Sequence, residues 1–135
     1  MKKNRAAADI WFKRAKNHFT FAKAGWKESG IVSDTCVLCQ QAVEKALKSI
    51  LELENIDVEK TPALMTHRLV DLIHECKEYY PKVEDFTNDC DRLTVYYFDR
   101  YPADIPLNLT PEDAEFALRV AEEILGFVED IIFSA

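Results

Sequence analysis

The chain has 135 residues, enough for one domain with a real core and too few for two. It is 48% hydrophobic and 30% charged, and its 17 basic and 24 acidic residues leave a net charge of -7. That balance excludes a disordered chain, a collagen-like repeat and a protein built for non-specific nucleic-acid affinity. Three glycines and five prolines supply too little turn chemistry for many hairpins, so an all-β fold is excluded too.

The start of the chain is basic (Lys2, Lys3, Arg5), but charge recurs at Asp9, Lys13, Arg14 and Lys16, leaving no apolar stretch for a signal peptide. A first helix is predicted over 6–27, with Trp11, Ala15, Phe19, Ala22 and Trp26 on one stripe and Gly30 as terminator. A second follows over 34–53, with Cys36, Cys39, Val43, Ala46, Leu47 and Ile50 inward and Ser33 or Asp34 as cap. A polar connector over 55–66 contains Pro62. The third helix, 67–79, aligns Leu69, Leu72, Ile73 and Cys76 before Pro81 breaks the chain. The fourth, 82–97, carries Val83, Phe86, Cys90, Leu93 and Tyr97.

Pro102 and Pro106 prevent the stretch 98–109 from being helical throughout. The last helix opens on Thr110-Pro111-Glu112-Asp113: an N-cap, a proline at the first helical position and early acids against the helix dipole. Its apolar positions are Ala114, Ala117, Leu118, Ala121, Leu125, Val128 and Ile132. Four long helices and a short one, each with one apolar stripe, imply an all-α, antiparallel up-and-down four-helix bundle in a single domain spanning 1–135.

No run approaches the length of a membrane span, and the expected compartment is the cytoplasm. Cys36, Cys39, Cys76 and Cys90 then stand as free thiols. Cys36-x-x-Cys39 invites a metal or redox reading, but both lie on an apolar helix stripe with no second close pair. The cysteines therefore read as core residues, with no metal and no cofactor implied. Residues 1–29 hold eight basic and two acidic groups, and residues 111–135 one basic and seven acidic. Either the first and last helices are neighbours with complementary outer faces, or the first meets an acidic partner or RNA.

Three features are candidates for function. On the second helix Gln41, Glu44, Lys45 and Lys48 form a polar face that is either solvated or turned toward a cleft or a second subunit. His67 sits just after Thr66, where an imidazole answers a capping or packing need. In Tyr96-Tyr97-Phe98-Asp99-Arg100-Tyr101-Pro102 four aromatics surround one arginine where a helix ends. A guanidinium there either offers its fork to phosphate beside stacking rings, or pairs with Asp99 or an acid of the last helix.

Gln40-Gln41-Ala42-Val43-Glu44-Lys45-Ala46-Leu47-Lys48, then Thr66-His67-Arg68-Leu69 with Leu72, then Arg100-Tyr101-Pro102, then the Thr-Pro-Glu-Asp helix start, resemble the HEPN domain family in order from Trp11 to about Val128. The resemblance implies a helical bundle that dimerises, often encoded beside a minimal nucleotidyltransferase in a toxin-antitoxin-like pair. Members with an Arg-x4-6-His motif are metal-independent ribonucleases, and others bind nucleotides or act as interaction modules. No histidine follows Arg100 at that distance, and Arg68 to His74 meets the count only inside the third helix, at the family's His-x-Leu position. The resemblance then implies a homodimer that docks a nucleotidyltransferase or a nucleotide. Arg100 and Asp99 would lie at the cleft, Tyr97 or Tyr101 would stack, and Lys48 and His67 would line it. The alternative it implies is an RNase toxin with a degenerate motif, using Arg100 for the phosphate and His67 as base. The aromatics Trp11, Phe12, Trp26, Tyr96, Tyr97 and Phe98, more than one small core absorbs, motivate the dimer.

Overall fold

The computed structural model describes residues 2–98 and 108–135, with the backbone alone at Phe98. Five α-helices carry the fold: α1 (Arg5–Ser29), α2 (Val32–Leu53), α3 (Leu69–Cys76), α4 (Thr87–Phe98) and α5 (Pro111–Phe133). Short 3-10 turns occupy Pro62–Leu64 and Pro81–Phe86. No strand occurs among the described residues, and none of their helices is long and apolar enough to cross a membrane.

α1 ends where expected. Gly30 adopts φ 63°, a left-handed value open to glycine without a Cβ penalty, and its amide donates to the carbonyls of Gly25 and Trp26. The chain then reverses into α2, so that the Asn4 amide meets the Leu53 carbonyl at 2.9 Å and the two helices run antiparallel. α5 also runs against α1, with the Arg5 guanidinium 5.4 Å from the Phe133 ring. The basic and acidic terminal helices are thus neighbours, although no ion pair among the described residues joins them.

Three boundaries differ from the sequence expectation. α2 begins two residues early, with Ile31 as its N-cap and no side-chain cap, so neither Ser33 nor Asp34 caps it. α3 is a short helix that starts after His67, and the region from Pro81 is a 3-10 turn before α4 begins at Thr87. Proline fixes φ without demanding a long helix after it, which is why the apolar spacing there was ambiguous. At α5 the prediction holds: the Asp113 carboxylate accepts from the Thr110 amide at 2.9 Å and from its hydroxyl at 3.2 Å.

α2 is the axis of the bundle. It packs on every other helix, and sixteen of its 22 residues are buried, so it is not the one-striped helix that the sequence suggests. Leu47, Ile50, Leu51 and Leu53 are among its fully enclosed side chains, meeting Leu69, Leu72, Leu93 and Ile124 in one continuous core. The four cysteines are buried in that core as thiols outside any disulfide, as expected. Trp11, Phe12 and Tyr96 lie inside it as well, so a single chain absorbs aromatics that the sequence reading assigned to a dimer interface. The large apolar side chains left outside include Ile10 and Phe21 on α1 and Phe133 on α5. Truncating Leu47 to alanine removes a side chain with no exposure, and we expect a loss of about 2–5 kcal/mol in denaturant-monitored unfolding.

Candidate functional site

The i+4 row Cys36, Gln40, Glu44, Lys48 and Glu52 winds along α2, and every member is buried. Of the polar face that admitted two readings, Glu44 and Lys48 are thus buried and Gln41 and Lys45 half-buried. At its centre stands Glu44, whose side chain is 1% exposed. Its Oε1 accepts from His67 Nδ1 at 2.9 Å, and its Oε2 accepts from Lys45 Nζ and Lys48 Nζ at 3.1 Å each. Burial pushes the Glu44 carboxyl up, but the two lysines and the His67 hydrogen bond outweigh it and hold the group below the usual carboxylate range.

His67 is positioned from three sides. Its carbonyl accepts from Gln40 Nε2 at 2.9 Å. The Thr66 hydroxyl accepts from the Arg68 amide at 3.0 Å. One residue further, the Leu69 amide donates to the Thr94 hydroxyl of α4 at 3.0 Å, so α3 receives from α4 the cap that it lacks locally. The imidazole stacks on Tyr97 with centroids 3.9 Å apart and planes at 18°. Because Nδ1 faces a carboxylate it donates, and Nε2 lies on the other edge of a side chain that is 48% exposed.

On the other flank of Glu44 the α1 residue Trp11 is ringed by cations: the Arg14 guanidinium at 4.9 Å, Lys45 Nζ at 5.7 Å and Lys48 Nζ at 5.8 Å from a ring centroid. His18 lies alongside, bonding the Arg14 carbonyl through Nδ1 at 3.2 Å. Burial lowers the His18 pKa, Lys45 lowers it further, and Glu44 opposes both. Gln40 Oε1 is buried without a hydrogen-bond partner, while its amide nitrogen is committed to His67.

Of the residues named from sequence, Lys48, His67 and Tyr97 come together around Glu44. Asp99, Arg100 and Tyr101 lie outside the described residues. Arg68 immediately precedes α3 and His74 is exposed on it, away from any such network. Sequence reasoning placed Glu44 on a polar face with Lys45 and Lys48 without seeing it as a hub, and it missed Trp11, Arg14 and Gln40 as its companions. The missed signal was the row itself: polar side chains at i+4 steps from Cys36, already assigned to the core. Among the described residues no group of histidines, cysteines and acids gathers as a metal site requires.

A second network brackets the segment that carries Arg100. Asp113 accepts from Tyr96 Oη at 2.7 Å and Arg92 Nη2 at 3.1 Å, joining the end of α4 to the start of α5. An acid of the last helix thus pairs with Arg92 of α4, while the pairing expected of Arg100 lies outside the described residues. The Thr110 amide, with Tyr96 and Arg92 working against burial, holds the Asp113 carboxyl down at about 2.

The packed helices and the polar row on α2 define a small helical-bundle domain with a buried carboxylate hub. The family model for the HEPN domain matches residues 8–131, and the chain belongs to that family. Among solved structures it is similar to TT1696 from Thermus thermophilus, at 27% identity and a TM-score of 0.76, covering 91% of this chain and 96% of that one. It shares its fold with ST0689, an archaeal HEPN homologue, at 23% identity and a TM-score of 0.67, over 98% and 99% of the two chains. No curated protein matches significantly.

Removing Glu44 strands the buried Lys48 ammonium, and we expect Glu44→Ala to cost about 3–5 kcal/mol in equilibrium unfolding. Asp113 acts in a pH-dependent way. Its pKa is lower in the folded state than its ordinary 3.8, so its contribution is full above that value and is lost as pH falls toward 2. We expect Asp113→Asn to cost about 1–2 kcal/mol at pH 7, with the difference from wild type closing below about pH 3 in parallel denaturation curves.

Proposed function

We propose that this chain is a dimeric HEPN module of a two-gene, toxin-antitoxin-like pair, whose Glu44-centred cleft binds a nucleotide or docks a minimal nucleotidyltransferase. The observation that carries this reading is the charge balance at Glu44. One carboxylate is shared by two ammonium groups, so among the described residues the site holds one more cation than carboxylate beside the His67–Tyr97 stack. A cation next to an exposed flat ring suits a phosphate attached to a base. In this reading Arg100 adds a second anion-binding group, Asp99 helps to orient it, and Tyr101 offers a further stacking surface. Exposed Ile10 and Phe21 on α1 support a dimer contact.

The Glu44–His67 pair favours a second reading, a metal-independent ribonuclease. A carboxylate that fixes one imidazole nitrogen leaves the other to accept a proton, which is how a general base is oriented for attack by a ribose hydroxyl.

Titration calorimetry of the purified chain with AMP tests the first reading. We expect measurable binding, weakened about tenfold by Lys48→Ala, and light scattering at twice the mass of one chain. An inert protein that scatters as a monomer would defeat it. Cleavage of RNA in the presence of a chelator, abolished by His67→Ala, would establish the second reading in its place.

A further inference from the structure

The nucleotide reading sets the base beside His67 and Tyr97 on the Oε1 side of Glu44 and its first phosphate by the lysines on the Oε2 side. The Oε2 side is built differently. There Lys45 and Lys48 approach one oxygen at 3.1 Å, and both ammonium groups also lie within 5.8 Å of the Trp11 ring, which the Arg14 guanidinium approaches at 4.9 Å. Three permanent cations thus converge from two helices on one indole, and among the described residues Glu44 is the acid paired with the lysines. Like charges this close disfavour one another, and an anion that bridges them removes that cost.

The access is graded. Lys48 is almost enclosed, with its side chain 10% exposed, Lys45 is 24% exposed, and Arg14 lies on the surface. A ligand with several anionic groups in line meets these cations in order from the inside outward. His18, at the same seam, has its charged form disfavoured by burial and by Lys45, as expected where positive charge is in excess. A chain of net charge -7 repels long polyanions, so this local excess suits a compact polyphosphate better than a nucleic-acid backbone.

We propose that Arg14, Lys45 and Lys48, gathered round Trp11 at the α1–α2 seam, form a polyphosphate subsite that takes the tail of a nucleoside di- or triphosphate. This rests on the nucleotide reading of the Glu44 cleft and extends it: the base and ribose lie toward His67, and the terminal phosphates run toward α1. Arg14 is the discriminating residue. Its planar fork can hold two phosphate oxygens at once, and its surface position allows it to change without unburying Glu44.

The test is calorimetric titration of the full chain with AMP, ATP and inorganic tripolyphosphate. ATP is expected to bind at least about tenfold more tightly than AMP, and Arg14→Gln to remove most of that difference while leaving AMP affinity within about twofold. Arg14→Lys restores part of it, because charge is kept and the fork is lost. Thermal melts of both variants check that they are folded; an Arg14→Gln chain that melts early passes the test to Arg14→Met at the same exposed position, with the same expectation. Equal affinity for AMP and ATP, or ATP binding indifferent to both substitutions, overturns the proposal, as does a wild-type chain that binds none of the three. If tripolyphosphate binds in an Arg14-dependent way and the nucleotides bind no better than it does, the subsite stands and the base-stacking reading fails.

Discussion

A carboxylate buried in the central helix of a small bundle must be answered from every direction, and Glu44 sets the arrangement of much that surrounds it. Removing its charge from water is costly, and several hydrogen bonds and opposite charges are needed to offset that cost. The answering groups come from α2 itself, through Lys45 and Lys48, and from the segment before α3, through His67. Satisfying one buried acid therefore fixes the place of a histidine 23 residues away and the stack it makes with α4. The packing of α1 follows as well, since Trp11 is held against the same lysines.

The polar row on α2 does not behave as a structural ion pair alone. A purely structural pair is closed, with one charge per partner and little exposure. Here the carboxylate is closed off, while its partners range from nearly buried to half-exposed, and the cations outnumber it. Gln40 adds to this picture: its amide nitrogen holds the His67 carbonyl while its oxygen remains without a donor, a cost accepted to keep the histidine in place. The geometry of one imidazole is maintained at the expense of stability.

The fold was legible in the sequence because it depends on apolar spacing, glycine and proline placement, and one strong helix start. Gly30, the Thr110–Asp113 cap and the inward cysteines are all local signals, and they lie where the spacing places them. What could not be read was burial. A helix with one apolar stripe and a helix surrounded on all sides have the same periodicity on their shared stripe, so α2 passed as a one-striped helix and its polar face stayed open between solvent and a cleft or second subunit. The site was legible in part for the same reason. Lys48, His67 and Tyr97 were named from their motifs, whereas Arg14, Trp11 and Asp113 join their networks through contacts between helices that no local pattern encodes. The short 3-10 turn from Pro81 was missed because its apolar residues fall at helical intervals for only six residues.

The shared cap at the start of α3 has a mechanical consequence. The Thr94 hydroxyl donates to the Cys90 carbonyl within α4 and accepts the Leu69 amide from α3, so the two helices are pinned at a point two residues from His67 and three from Tyr97. The rings of the stack thus hang from opposite sides of one rivet. Any torque on α4 from the chain beyond it is delivered to both rings together, so the stack turns as a unit instead of shearing apart.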